Sequence, residues 1–195
     1  MKPVFPALGA LPLGTLVAMA QTPVGVASPP GKLPAGPLLD TRDSKALLLG
    51  ETTAQAILAH RTVFRDNLAK LRLSDELKAR WKAVQRPFTL VAVFGSWCGD
   101  SHRELPELLA LEAEPNPFIE VHYLGVNRDK VLSPKAWPKG CLSQGVDRVP
   151  TFFLFATRPG GTQRLVGAVV ETPPKKGQPM AEALVELLEA GLRSN

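Results

Sequence analysis

The sequence predicts an α/β domain in which a mixed central sheet is flanked by helices, with extra helices at its N-terminal side. Three observations carry this. Segments of strand character first alternate with segments of helical spacing, and two strands then run close together before a last helix. The run from Phe88 to Phe94 is apolar, β-favouring and bounded by Pro87 and Gly95, the mark of a buried strand. Finally, 45% of the 195 residues are hydrophobic and 21% charged, enough apolar surface to fill one core, so one domain with appendages is expected.

The N-terminus differs from the rest. Met1-Lys2 supplies one positive charge, Val4 to Met19 is apolar and uncharged, and Ala18-Met19-Ala20 before Gln21 fits a small-x-small cleavage site. Residues 1–20 therefore read as an export signal, which makes the protein exported, periplasmic or otherwise extracytoplasmic. Pro6 and Pro12 disfavour a helix and leave an uncleaved anchor or a plain tail as the alternatives. Contact with a membrane is expected only through an uncleaved N-terminus, because no other stretch is long and apolar enough to span a bilayer. Residues 21–50 are rich in Pro and Gly and read as a linker, so the folded domain is placed at residues 51–195.

Within that domain, Thr52 to Leu73 spaces Ile57, Val63-Phe64, Leu68 and Leu71 near a helical period. Ser74 then caps a second helix that runs through Trp81 and Val84. After the strand at Phe88–Phe94, Asp100 to Leu111 has helical spacing of Leu105, Leu108 and Leu111. Strands follow at Ile119–Val126, Thr151–Phe155 and Leu165–Val170, and the stretch holding Pro138, Gly140 and Gly145 reads as a loop or short helix. Met180 to Leu192 closes the chain as an amphipathic helix. No internal repeat is visible.

Composition narrows the function classes. Beyond residue 20 the chain carries 22 Lys and Arg against 18 Asp and Glu, a net +4. The basic residues are dispersed and no aromatic-and-basic stripe occurs, so nucleic acid is not an expected partner. Two cysteines, Cys98 and Cys141, are too few for a disulfide-stapled scaffold.

Cys98 sits where a buried strand ends and a helix begins. Unpaired backbone N–H groups and the positive end of the helix dipole stabilise a thiolate there, which makes the sulfur a nucleophile. The alternative is an inert buried cysteine, and the flanking Trp97 and Gly99 favour an exposed turn instead. Asp100 suits the first helical turn but its charge opposes ionisation of Cys98, while Arg103 can pair with a nearby carboxylate, an exposed helical arginine being the plainer reading. Cys98 and His102, four apart, share a helix face and make a soft-metal site thinkable with His122 or Cys141 as a further ligand. A solvated His102 is the plainer reading, and neither a metal nor another cofactor is expected.

Several motifs combine into a resemblance. Phe94-Gly95-Ser96-Trp97-Cys98 precedes a helix, Pro106 follows the cysteine by eight residues, Val149-Pro150-Thr151 opens the third strand, and Gly167 lies in the fourth. This pattern resembles thioredoxin over about Gln85 to Asn195. The run Trp97 to Arg103 together with Val170-Glu171-Thr172-Pro173 is similar to a bacterial branch of that family with a monothiol Trp-Cys-x-Asp-Ser site. The resemblance implies a thioredoxin fold, Cys98 as nucleophile, and a cis Pro150 against its sulfur. It also implies that Val149 offers backbone groups to an extended substrate peptide.

Two departures matter. Ser101 stands where thioredoxins have their second cysteine, and Ala92 stands where they have a buried acid, so dithiol reductase chemistry is not expected. What remains is monothiol exchange with thiol- or disulfide-containing proteins or small thiols. Cys98 and Ser101 are the catalytic pair, Ser101 donating a hydrogen bond to the thiolate, while Trp97, Asp100 and Arg103 modulate the site and Val149-Pro150 docks substrate. Release falls to an outside thiol or to Cys141, the latter only if the two Cα atoms approach within about 7 Å. The alternatives are a non-catalytic binding module with the same fold and, behind it, a copper-binding chaperone.

Overall fold

The computed structural model describes residues 38–194. The expected export signal and most of the expected linker lie outside the described residues. Five strands form one sheet: β1 (Gly50–Thr52), β2 (Phe88–Phe94), β3 (Ile119–Gly125), β4 (Thr151–Thr157) and β5 (Gln163–Val170). Their order is β1-β3-β2-β4-β5, with β2 and β3 parallel and every other pair antiparallel. The helices are α1 (Ala54–His60), α2 (Thr62–Lys70), α3 (Asp75–Lys82), α4 (Gly99–Glu112) and α5 (Met180–Arg193). The sheet is thus mixed and flanked by helices, as the alternation of patterns predicts.

Every residue of β2 is buried, which is why its sequence is a continuous apolar run rather than an alternating one. Phe88, Leu90, Ala92 and Phe94 face a core that takes residues from all five helices, among them Ile57, Phe64, Trp81, Leu105 and Leu184. Val91 and Val93 face a second core with Leu124, Val126, Trp137, Val149, Phe153 and Phe155. That side is covered by the long connection between β3 and β4, whose only regular piece among the described residues is a single 3-10 turn at Pro134–Ala136.

Helix boundaries follow capping chemistry. Thr53 and Ser74 cap α1 and α3 by accepting from the Ala56 and Leu77 amides. Pro179 at the start of α5 has no side-chain cap to offer, and Glu107 of α4 supplies one by accepting from the Ala181 amide at 2.7 Å. The one helix expected over Thr52–Leu73 is instead two, because Arg61 is extended (φ −138°, ψ 133°) between α1 and α2. Its guanidinium reaches the Ala46 carbonyl at 3.4 Å and Asp43 at 3.6 Å, a tertiary demand that periodicity does not register.

The expected linker also ends sooner than Gly50. Leu39 bridges Ala46, the Leu48 amide donates to Ser96 Oγ at 3.1 Å, and β1 adds an edge strand to β3. The Pro-rich composition stops at Pro37, after which Leu47-Leu48-Leu49 and a buried Asp40 belong to the domain. Gly125 permits this seating: a Cβ there would lie 2.1 Å from the Leu48 carbonyl oxygen and 2.8 Å from its carbon. Gly125→Ala is therefore expected to lower stability by about 1–3 kcal/mol through forced backbone displacement, read as a lower urea midpoint. An unchanged midpoint would mean that residues 38–49 do not hold this position.

Candidate functional site

The chain leaves the sheet at the end of β2 through Gly95-Ser96-Trp97 and enters α4 with Cys98 as its N-cap residue. Four interactions hold this turn. The Cys98 amide donates to the Gly95 carbonyl at 2.9 Å. Ser96 is fully buried, and its Oγ accepts from Leu48. His102 Nε2 lies 2.9 Å from the Ser96 carbonyl, a bond made by the tautomer that carries its proton on Nε2. Trp97 Nε1 donates to the Val126 carbonyl at 2.9 Å. Gly95 must stay without a side chain, since a Cβ would lie 2.7 Å from the Trp97 indole.

Cys98 is half-buried, and its Sγ donates to the Val149 carbonyl at 3.2 Å. The Val149–Pro150 peptide is cis, as the resemblance implies. The Glu171 amide donates to the Pro150 carbonyl at 2.7 Å, with Glu171 at φ +57° and its carboxylate on Arg148 at 2.8 Å. The end of β5 is thereby tied to the cis-proline turn. No side chain caps α4, so its first amides stay free to face charge at the Cys98 end.

Ser101 differs from expectation. It is buried, and its Oγ accepts from the Gly95 amide at 3.2 Å rather than pairing with Cys98, whose sulfur bonds Val149. The residue that replaces a second cysteine thus satisfies the backbone where the turn begins. Asp100 and Arg103 do meet, at 2.8 Å, and Arg103 Nε reaches Glu104 at 2.6 Å. Arg103 thus offsets part of the charge of Asp100 beside Cys98, and its bonds to Glu104 and then Asp100 hold its pKa above the ordinary value.

Cys141 is not beside Cys98. It follows Gly140, which packs against Gly161 in the turn joining β4 to β5, whereas Cys98 contacts Val149 just before β4 begins. The seven residues of β4 separate these ends by about 20 Å, far beyond the Cα approach a disulfide needs. Both cysteines are free thiols, and burial together with nearby Glu120 pushes the Cys141 pKa up to about 11. The shared metal site is not formed either. The His102 ring packs edge-on to Phe64 at 5.1 Å and bonds Ser96, and no cluster of three His, Cys, Asp or Glu suited to a metal occurs among the described residues.

Two residues that the sequence did not single out join the site. Arg128, just beyond β3, lies over the Trp97 ring at 4.5 Å. Its Nε and Nη2 donate to Asp40 at 2.7 and 2.8 Å. Those bonds hold the Asp40 carboxyl below its ordinary range against the opposing effect of burial. The pair is therefore charged at neutral pH, and its contribution is lost as pH falls through the lowered Asp40 pKa. Neither residue stands in a recognisable motif, and Asp40 falls in what reads as linker.

The sheet order, the cysteine at a helix start and the cis-proline turn facing it define a thioredoxin-like α/β protein. Residues 50–181 match the Thioredoxin_9 family model, described as thioredoxin, and the chain belongs to that family. Two solved structures share the fold. An HIV epitope-scaffold is 17% identical with a TM-score of 0.52, covering 75% of this chain and 94% of that one. A protein of unknown function from Pseudomonas aeruginosa is 18% identical with a TM-score of 0.51, covering 73% and 92%. No curated protein matches the chain. No helix among the described residues is long and apolar enough to cross a membrane.

Two outcomes follow from this geometry. Ser101→Ala strands a buried Gly95 N–H and is expected to cost about 1–3 kcal/mol in urea unfolding; a neutral effect would dissociate the hydroxyl from the turn. At pH 8 only about one Cys141 in a thousand is thiolate, so native-state iodoacetamide labelling there is expected to be far slower than on free glutathione and to rise towards pH 11. Labelling of Cys141 at the glutathione rate at pH 8 would contradict its burial.

Proposed function

We propose that this protein is an exported thiol-disulfide exchange protein of the monothiol type, with Cys98 as its nucleophile. The observation that carries the reading is the position of Cys98 at the uncapped start of α4, its Sγ 3.2 Å from the carbonyl that precedes a cis proline. Export rests on the composition of residues 1–20.

The chemistry is a pair of exchanges. The Cys98 thiolate attacks one sulfur of a disulfide R–S–S–R′, a Cys98–S–S–R bond forms, and R′–S⁻ leaves with the electron pair. A second thiolate then attacks the R sulfur, and Cys98 departs as thiolate. No net electrons are gained or lost by the protein over the two steps. The free amides of α4 stabilise Cys98 both as attacking and as leaving thiolate. The second thiolate comes from outside, because the Ser101 hydroxyl is no thiol and Cys141 stands at the other end of β4. Trp97 walls the turn, the Val149-Pro150 edge receives an extended segment of the partner, and the partners are thiol- or disulfide-containing proteins or small thiols.

Ala92, fully buried, puts no acid at that position of β2, and this favours as a second reading a binding module that keeps the fold without turnover. Reaction with oxidised glutathione separates the two. Exchange chemistry is expected to place one glutathionyl group on Cys98 at pH 7, about tenfold faster than free glutathione exchanges with the same disulfide. The adduct should be removed by dithiothreitol, absent in Cys98→Ser and retained in Cys141→Ser. Exchange no faster than that of the free thiol, or an adduct on Cys141 alone, overturns the exchange reading in favour of the binding module.

A further inference from the structure

The turn that presents Cys98 is backed by an ion pair whose two members are not equally placed. The Asp40 side chain is wholly buried, while that of Arg128 is 27% exposed. Asp40 takes Nε and Nη2 of the guanidinium, so Nη1 has no hydrogen-bond partner among the described residues. The planar face of the same group lies over Trp97, the residue before Cys98. Trp97 is itself fixed to Val126. A rigid chain of contacts therefore runs from Asp40 through Arg128 and Trp97 to the Cys98 turn. Its solvent-facing charge is positive and its counter-charge lies behind, under residues 38–49. Asp43 and the Cys98 sulfur both lie within electrostatic reach of Arg128.

We propose that Arg128, seated by Asp40 and stacked on Trp97, is a positioning residue of the Cys98 site and biases it towards reactants that carry a carboxylate. This rests on the reading of Cys98 as a nucleophile. Arginine suits the task because its fork binds Asp40 through two parallel bonds, its flat face covers the indole, and one nitrogen remains to meet a second carboxylate. The positive potential at the mouth of the site concentrates anionic reactants there, an effect that salt screens. Asp100 opposes it, its charge offset only in part by Arg103, which Glu104 also shares.

Two alkylating reagents of nearly equal size read this directly. Iodoacetate and iodoacetamide each form a thioether on Cys98 with release of iodide, and they differ by one negative charge. The ratio of their rate constants divides out changes in thiol ionisation and in accessibility, so a merely structural role of Arg128 would leave it unmoved. In the full chain the iodoacetate-to-iodoacetamide ratio at Cys98 is expected to exceed that of a cysteine in a neutral peptide by about three- to tenfold at low salt. In about 1 M NaCl, where the screening length is about 3 Å, it is expected to fall to the peptide value. Arg128→Gln should give the peptide ratio at low salt, and Arg128→Lys, which keeps the charge but not the fork, should retain most of the preference. A wild-type ratio equal to the peptide's, or one that salt leaves unchanged, overturns the proposal even if Arg128→Gln fails to fold. An unchanged ratio in a folded Arg128→Gln protein overturns it as well. Resistance of Cys98 to both reagents would instead remove the nucleophile reading beneath it, whereas brisk reaction with both and no charge preference removes this inference alone.

Discussion

A seven-residue strand with no exposed side chain governs the rest of this structure. β2 cannot be stable unless both its edges are paired and both its faces are covered, because each apolar side chain left in water forgoes about 1.5–3 kcal/mol. β3 and β4 satisfy the edges over nearly the whole strand. The five helices supply one cover and the Trp137-centred connection the other. With the strand fixed on all sides, its exit at Gly95 is fixed too. The helix that follows must start within a few residues, and the cysteine at that junction inherits a position set by the core.

The exit turn is then locked by polar groups, most of them borrowed from elements far apart in sequence. Ser96 Oγ is claimed by Leu48, the Trp97 indole by Val126, the Cys98 sulfur by Val149 and the Gly95 amide by Ser101. A hydrogen bond of this kind contributes only about 1 kcal/mol net, but a buried group left without its partner costs about 1–3 kcal/mol. The penalty for leaving this arrangement exceeds the reward for adopting it. Such asymmetry keeps a turn in a single geometry, as the proposed exchange at one sulfur atom requires.

Much of this was legible in the sequence because it is local. The bounds of β2 match its apolar run, Ser74 caps α3 as its spacing predicts, and α5 follows its leucine period. The resemblance located Cys98 against a cis Pro150, and the geometry agrees. What sequence could not supply is decided by distant partners. β1 has only three residues, too few for an alternating pattern to stand out. Arg61 interrupts a helical stretch because Ala46 and Asp43 draw it outward. Ser101 turns to Gly95 rather than to the sulfur, since a buried backbone N–H without a partner is the more costly omission. Asp40 and Arg128 are 88 residues apart, and nothing in either neighbourhood announces the other.

These late-appearing contacts bear on how a one-cysteine site is used. A second thiol within the motif would let the protein release its own partner, and the choice of partner would then matter mainly at the first attack. Here Cys141 is held at the far end of β4 and Ser101 is committed to the backbone, so under the proposed chemistry both attack and release depend on molecules from outside. Discrimination must be built into the rim that every such molecule meets. That rim has a fixed indole, a backbone edge at Val149, the Arg148–Glu171 pair tied to the cis-proline turn, and a cation held from behind by a buried carboxylate. Of these, the Arg128–Asp40 pair turns the positive end of its field outward, with the counter-charge behind it. Residues 38–49, by burying Asp40 beneath Arg128, set that orientation, and under the proposed reading a segment that reads as linker takes part in the chemistry of the site.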